Sequence, residues 1–245
     1  MKRFSTVIVG VTAAAACVTS GLTTTIAAAP AGAATSAHVW HRNIVSTTFW
    51  VGEIFSSGPN GSQVISTYDD KWEVHYGGCD GVVKNGKCST ERRVAANGYF
   101  PLHMHPKQNP FYLDVPFDDV NDPKGAAGRA HAVPWAHLPQ YRAILANPNR
   151  SLMKNHWVEI VDHGRVCYGQ IEDAGPGQYH DARYVFGGAR PRNRLYNGAG
   201  MDVSPALNGC LGFKELNGDT DVVSWRFVSP SAVPPGPWRK LVTRT

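Results

Sequence analysis

Residues 156–175 read HWVEIVDHGRVCYGQIEDAG, and two strands joined by a tight turn can be read directly from them. Trp157, Glu159 and Val161 alternate with Val158, Ile160 and Asp162, the period of two that sends neighbouring side chains to opposite faces of a strand. Asp162-His163-Gly164 supplies the hairpin turn, and residues 165–171 form the return strand. Beyond it, Glu172-Asp173-Ala174-Gly175-Pro176 leaves the strand at a turn. A glycine-rich loop follows, marked by Gly187-Gly188 and Asn197-Gly198, and then Gly200-Met201-Asp202-Val203-Ser204-Pro205-Ala206. Ser204 is a natural N-cap and Pro205 suits the first helical position, so a short helix begins there and stops at Gly209 or Gly212. Residues 221–228 (DVVSWRFV) are the last strand.

Upstream, residues 45–54 (VSTTFWVGEI) are rich in Thr, Val and aromatic residues and read as a strand, closed by Gly58-Pro59-Asn60-Gly61. Residues 69–76 form an amphipathic piece without a clear assignment, and residues 77–98 are irregular. Residues 110–116 (PFYLDVP) read as a strand between prolines. Residues 118–149 are polar and rich in Pro, Ala and Gly, and read as a long surface insertion with one short helix near 139–146. The pattern is all-β, with no repeat and no linker, so residues 35–245 are expected to form one domain.

Residues 1–34 carry the features of an export signal. Lys2 and Arg3 precede an apolar stretch, and Ala-Pro-Ala-Gly-Ala-Ala (29–34) offers small residues at a cleavage site near Ala34. No second segment is apolar enough to span a membrane, so a secreted, extracellular protein without membrane contact after cleavage is expected. Of five cysteines, Cys17 leaves with the signal, and Cys79, Cys88, Cys167 and Cys210 remain. They allow three pairings. The expected one joins Cys79 to Cys88 across a Gly- and Asn-rich loop and Cys167 to Cys210 between later elements. No close Cys-x-x-Cys pair favours zinc. The chain has 24 basic and 19 acidic residues, which leaves 22 against 19 once Lys2 and Arg3 are removed. That mild excess suits an anionic wall, and no basic block marks a nucleic-acid partner. Arg183, Arg190, Arg192 and Arg194 are spread through a loop and read as solvated.

The order from residue 158 to residue 228 resembles the second half of a secreted six-stranded double-psi β-barrel. Rare lipoprotein A, the expansins, the barwin proteins and the barrel-type endoglucanases share it. An Asp shortly before Gly-Pro is matched by Asp173, and an Asp-Leu-Ser motif before a small-residue helix ending in Leu-Gly is matched by Asp202-Val203-Ser204 and Leu211-Gly212. Ser46-Thr47-Thr48-Phe49-Trp50 resembles the opening barrel strand. The resemblance implies a double-psi barrel with short helices, long loop insertions and two disulfides, acting on or binding a cell-wall polysaccharide or peptidoglycan.

Cleaving a glycosidic bond requires a carboxylic acid to protonate the leaving oxygen, and often a second carboxylate. The resemblance makes Asp202 and Asp173 the catalytic candidates. Glu172 falls on the opposite strand face. Trp50, Tyr112 and Tyr179, with His105, are the candidate substrate contacts, since sugars stack on aromatic rings. The competing roles are structural: Asp202 holding the helix start and Asp173 closing a turn. Two positions depart from the endoglucanase pattern. Val51 follows Phe49-Trp50 where that family carries Asp, with Glu53 the next acid on that face, and Gly200-Met201 precede Asp202 in place of His-Phe. His103-x-His105 lacks a third metal ligand, and Asp118-Asp119-x-x-Asp122 lacks the Gly and Glu of a calcium loop, so no metal is expected and the second motif reads as a solvated loop. No P-loop, nucleophile elbow, zinc helix or dinucleotide fingerprint is present, and no cofactor is expected. The expectation is a monomeric glycoside hydrolase or lytic transglycosylase. The alternatives are a non-catalytic expansin-like wall-binding protein and a barwin-like inhibitor.

Overall fold

A computed structural model describes residues 39–57 and 61–244. The expected signal segment, Cys17 and the turn residues Gly58 to Asn60 lie outside these residues. Eight strands are present among the described residues: β1 (His41–Thr48), β2 (Val82–Lys84), β3 (Lys87–Ser89), β4 (Tyr112–Val115), β5 (Trp157–Asp162), β6 (Arg165–Ala174), β7 (Met201–Val203) and β8 (Asp221–Val228). Six of them close into a barrel in the order β1-β7-β4-β6-β5-β8, and β2 and β3 make a separate hairpin. The barrel is mixed. β1 runs parallel to β7 and β4 parallel to β6, whereas the other barrel neighbours are antiparallel. Closure leaves no open sheet edge.

The β5–β6 hairpin follows the alternation of its sequence, with Trp157 opposite Gln170 and Asp162 opposite Arg165. Every residue of β4 is buried, as is β6 from Cys167 to Ala174, because the barrel lies on one face and loops or α5 cover the other. β8 alternates between buried and partly exposed residues over most of its length, as expected for a strand with one face towards solvent. Short helices cap the barrel: α1 (Trp72–Tyr76), α2 (Pro123–Ala132), α3 (Arg142–Leu145), α4 (Ala182–Val185) and α5 (Pro205–Leu211). α5 packs on β6 so closely that a Cβ at Gly169 would lie 2.7 Å from Leu113 and 2.8 Å from Leu207. Ile44, Leu113, Val158, Ile160 and Trp225 belong to the barrel core, and Phe49, Val51, Trp72, Tyr76 and Tyr112 form a second cluster at one end. No helix among the described residues is long and apolar enough to cross a membrane.

Cys79–Cys88 and Cys167–Cys210 form the two disulfides, the pairing expected, with Cα separations of 5.6 and 6.3 Å. The first strand covers His41–Thr48 rather than residues 45–54, because Trp50–Glu53 turns sharply, with the Glu53 N–H donating to the Trp50 carbonyl at 3.0 Å.

Residues 118–149 require a correction. They are not confined to the surface: Val133, Trp135 and Ala136 are core residues, and the Trp135 indole donates to the Leu152 carbonyl at 2.7 Å. The helix expected near 139–146 is present as a 3-10 turn followed by α3, but the longer α2 had no apolar periodicity to announce it. Its start is chemical instead: Asp122 caps it, accepting from the N–H groups of Lys124 and Gly125, and Pro123 follows. The acidic motif before it is not a solvated loop either. Asp118 and Asp119 are buried, accepting backbone N–H bonds from Val120, Asn121, Asp122 and Leu152.

Candidate functional site

The mixed pairing of the barrel brings three carboxyls side by side. Asp114, in the middle of β4, is opposite Asp173 of parallel β6 and opposite Asp202 of antiparallel β7. Three neighbouring strands thus each contribute an aspartate at the same level, although 88 residues of sequence separate Asp114 from Asp202. Asp114 is 2% exposed and Asp173 4% exposed, whereas Asp202 opens partly to a cleft.

Their hydrogen bonds differ, and so do their roles. Asp114 Oδ1 accepts the backbone N–H of Asp202 at 3.1 Å. Asp114 also lies against Gly175, where a Cβ would come within 2.6 Å of its Oδ2, so the small residue after the strand makes room for the carboxyl. Asp173 Oδ1 accepts from the N–H groups of Thr67 at 2.7 Å and Ala174 at 2.8 Å, tying a distant loop to the end of β6. Asp202 Oδ1 is buried and has no hydrogen-bond partner among the described residues. Asp202 does not cap α5. Ser204 does, with its hydroxyl accepting the Leu207 N–H, and Gly212 ends the helix in the left-handed region at φ 79°. The carboxyl of Asp202 is therefore free of the helix-holding role.

Burial without a neighbouring cation makes all three acids hard to ionise. Burial, followed by the charges of Asp202 and Asp173, holds Asp114 well above the usual carboxylate range. Burial lifts Asp173 to about 6 against its backbone hydrogen bonds. Burial, then Glu53 and Asp173, pushes Asp202 up to about 8. Glu53, in the turn after β1, is pushed up to about 7 by burial.

Asp202 and Glu53 open into one cleft of about 600 Å³. Thr47, Thr48 and Phe49 at the end of β1 form one wall, and Tyr179, Asn193 and Tyr196 from the loop between β6 and β7 form another. The segment from Glu215 to Asp219, between α5 and β8, closes the rim. Asn193 is itself buried and held by its own loop, donating to the carbonyls of Ala199 at 2.8 Å and Leu195 at 3.2 Å. A larger cleft of about 990 Å³ lies elsewhere, lined among others by Asp69, His75, Lys107 and Lys154, and none of the three aligned aspartates reaches it.

Of the residues singled out in the sequence, Asp202 and Tyr179 line the carboxyl-bearing cleft. Asp173 sits behind it, next to Asp114. Tyr112 does not face a ligand: it is fully buried, its hydroxyl donating to Asp80 at 2.8 Å and accepting the Val51 N–H at 3.1 Å. Its place in an apolar strand between prolines explains the burial. Trp50 is outside the cleft lining, and its indole donates to the Cys88 carbonyl at 3.4 Å. His105 is exposed and outside both clefts. Glu172 falls at the register shift between β4 and β6, where Leu113 faces Ile171 and Asp114 faces Asp173. It is buried and pushed up to about 8 by burial, with Lys154 opposing the shift. No group of three or more His, Cys, Asp or Glu among the described residues is arranged to hold a metal ion.

Asp114 and Glu53 are the residues that motif reading did not assign. The signal for Asp114 was present in PFYLDVP, where an acid in a short apolar strand must be buried, and buried acids are rare without a purpose. No protein-family model matches the chain, and a search of curated proteins finds no match either.

Proposed function

We propose that this is an extracellular double-psi β-barrel protein that cleaves a cell-wall glycan, with Asp202 as the general acid. The barrel reading is supported by the two parallel pairs, β1 with β7 and β4 with β6, within one closed six-stranded sheet, and by the motif aspartates at the end of β6 and within β7.

The observation that carries the catalytic reading is Asp202 itself: a carboxyl with an unpartnered oxygen, its ionisation opposed, at a cleft with aromatic walls. An acid that keeps its proton near neutral pH can give it to a leaving glycosidic oxygen. Glu53 lines the same cleft, and burial opposes its ionisation as it does that of Asp202. It is the second carboxylate in this reading, either activating water or assisting the sugar's own hydroxyl. Asp173, committed to Thr67 and Ala174, is a positioning residue, and so is Asp114, which holds the Asp202 backbone.

Incubation with peptidoglycan and a panel of wall polysaccharides, followed by mass spectrometry of soluble products, tests the proposal. Asp202→Asn is expected to lower product release by at least ~100-fold while remaining folded. Anhydro ends identify transglycosylation, and water-terminated ends hydrolysis. No products from any substrate, with retained binding to insoluble wall, would instead identify a non-catalytic wall-binding protein.

A further inference from the structure

The acidic and basic side chains lining the Asp202 cleft are all carboxyls. Glu53, Asp202, Glu215 and Asp219 line it, and no Lys or Arg does. None of the four forms an ion pair with a described residue. This runs against the chain as a whole, in which basic residues outnumber acidic ones by 24 to 19. A chance patch would be expected to share the excess of the whole; this cleft has the opposite character.

A second observation is independent of charge. Two residues of the cleft lining, Asp202 and Gln63, each hold a buried acceptor oxygen, Oδ1 and Oε1, with no hydrogen-bond partner among the described residues. Buried acceptors left unpaired cost free energy. What they lack is a donor. A third observation concerns shape. Phe55, Tyr179, Leu195 and Tyr196 line the same cleft and are 45–67% exposed, so apolar and aromatic faces stand open around the carboxyls. Flat rings with apolar faces stack on such side chains.

We infer that the cleft binds a glycan carrying free ammonium groups, that is, unacetylated amino sugars. This rests on the glycan reading above and narrows its substrate class. An ammonium group carries one positive charge and three N–H donors and has no acceptor, which matches the rim carboxyls Glu215 and Asp219 by charge and the orphan oxygens of Gln63 and Asp202 by hydrogen bonding. N-acetylation removes the charge, and the acetyl group adds an acceptor carbonyl where the cleft already has acceptors in excess. A bound ammonium would also favour the ionised form of Glu53, whose ionisation burial opposes in the free protein. A lysine-rich peptide would satisfy the charge but presents flexible chains rather than flat rings to Tyr179 and Tyr196.

Calorimetric titration at pH 6 and low salt, with three probes, tests the inference: a β-1,4-linked glucosamine hexamer, its fully N-acetylated counterpart, and hexalysine. The glucosamine hexamer is expected to bind at least ~10-fold more tightly than either of the others, and to weaken as salt rises. The double variant Glu215→Gln/Asp219→Asn, whose residues lie on the rim and outside the acid pair, is expected to lose ~10-fold for that hexamer alone. A melting temperature equal to the parent's shows that the variant is folded. Equal affinity for the two hexamers, no binding of either, or tighter binding of hexalysine would each overturn the inference. The cleavage reading is tested separately: products released from acetylated wall glycan would uphold it even where the charge preference fails, and tight binding of the glucosamine hexamer without cleavage would do the reverse.

Discussion

Asp114 has no cation beside it, yet it sits in the middle of a four-residue strand with every neighbour buried. The protein tolerates this by favouring the protonated state, and stability then depends on pH. Asp202 ionises near 4 in the unfolded chain and near 8 in the fold. Its contribution is fully present below about pH 4 and is lost as pH rises through about 8, with Asp114 and Asp173 shifted in the same direction. The melting temperature is therefore expected to fall across pH 4–8. Asp202→Asn, which cannot ionise, is expected to flatten that fall and to gain on the order of 2 kcal/mol at pH 8 in denaturant titrations. Asp114→Asn retains an oxygen for the Asp202 N–H, so it should stabilise at pH 8 as well, whereas Asp114→Ala removes that acceptor. At this scale the sequence was partly legible. Asp202 and Asp173 announced themselves through motifs, but Asp114 is one acid in an apolar run, and nothing local says which strands will flank it.

Among the elements, the 118–149 segment shows how a polar sequence can be structural. Arg129 of α2 is buried and donates to the carbonyls of Asp119, Ile144, Leu145, Asn147 and Arg150, replacing the backbone pairing that this irregular chain lacks. Asp119 lies 3.8 Å from it and accepts from Ser151. Arg129→Ala leaves those carbonyls without their donor and is expected to cost ~3–4 kcal/mol in urea unfolding, far beyond the loss of a solvated loop cation. Ser204→Ala removes the cap of α5 and should cost ~1 kcal/mol, measured in the same way. The difference reflects how many groups each side chain satisfies. The cap was legible because its partner is three residues away; the Arg129 network was not, because its acceptors are scattered over residues 119 to 150.

For the whole molecule, two disulfides brace a barrel that is already closed. Cys167–Cys210 spans 43 residues and ties β6 to α5, while Cys79–Cys88 spans only 9 and secures the β2–β3 hairpin. Chain entropy scales with the loop closed, so the Cys167→Ser/Cys210→Ser double variant is expected to lose up to ~4 kcal/mol and Cys79→Ser/Cys88→Ser up to ~2.5 kcal/mol. Thermal unfolding of the two variants side by side reads the order directly. The charge distribution also belongs to this scale. A basic chain folds so that four carboxyls share one cleft, a segregation that no stretch of the sequence displays.

The sequence by itself determined the β5–β6 hairpin, the capped α5 and the last strand, since each is set by contacts within a few residues: strand alternation, a turn, a cap. It also carried the disulfide pairing, through the short Gly- and Asn-rich loop between Cys79 and Cys88. Only the tertiary structure decided that β4 lies between β6 and β7. Strand order is a choice among non-local pairings, and Asp114, Asp173 and Asp202 meet only once that choice is made. Burial followed the same division. Tyr112 and Tyr179 look alike as aromatic residues in the sequence, but the barrel buries one beneath Asp80 and leaves the other open at the cleft.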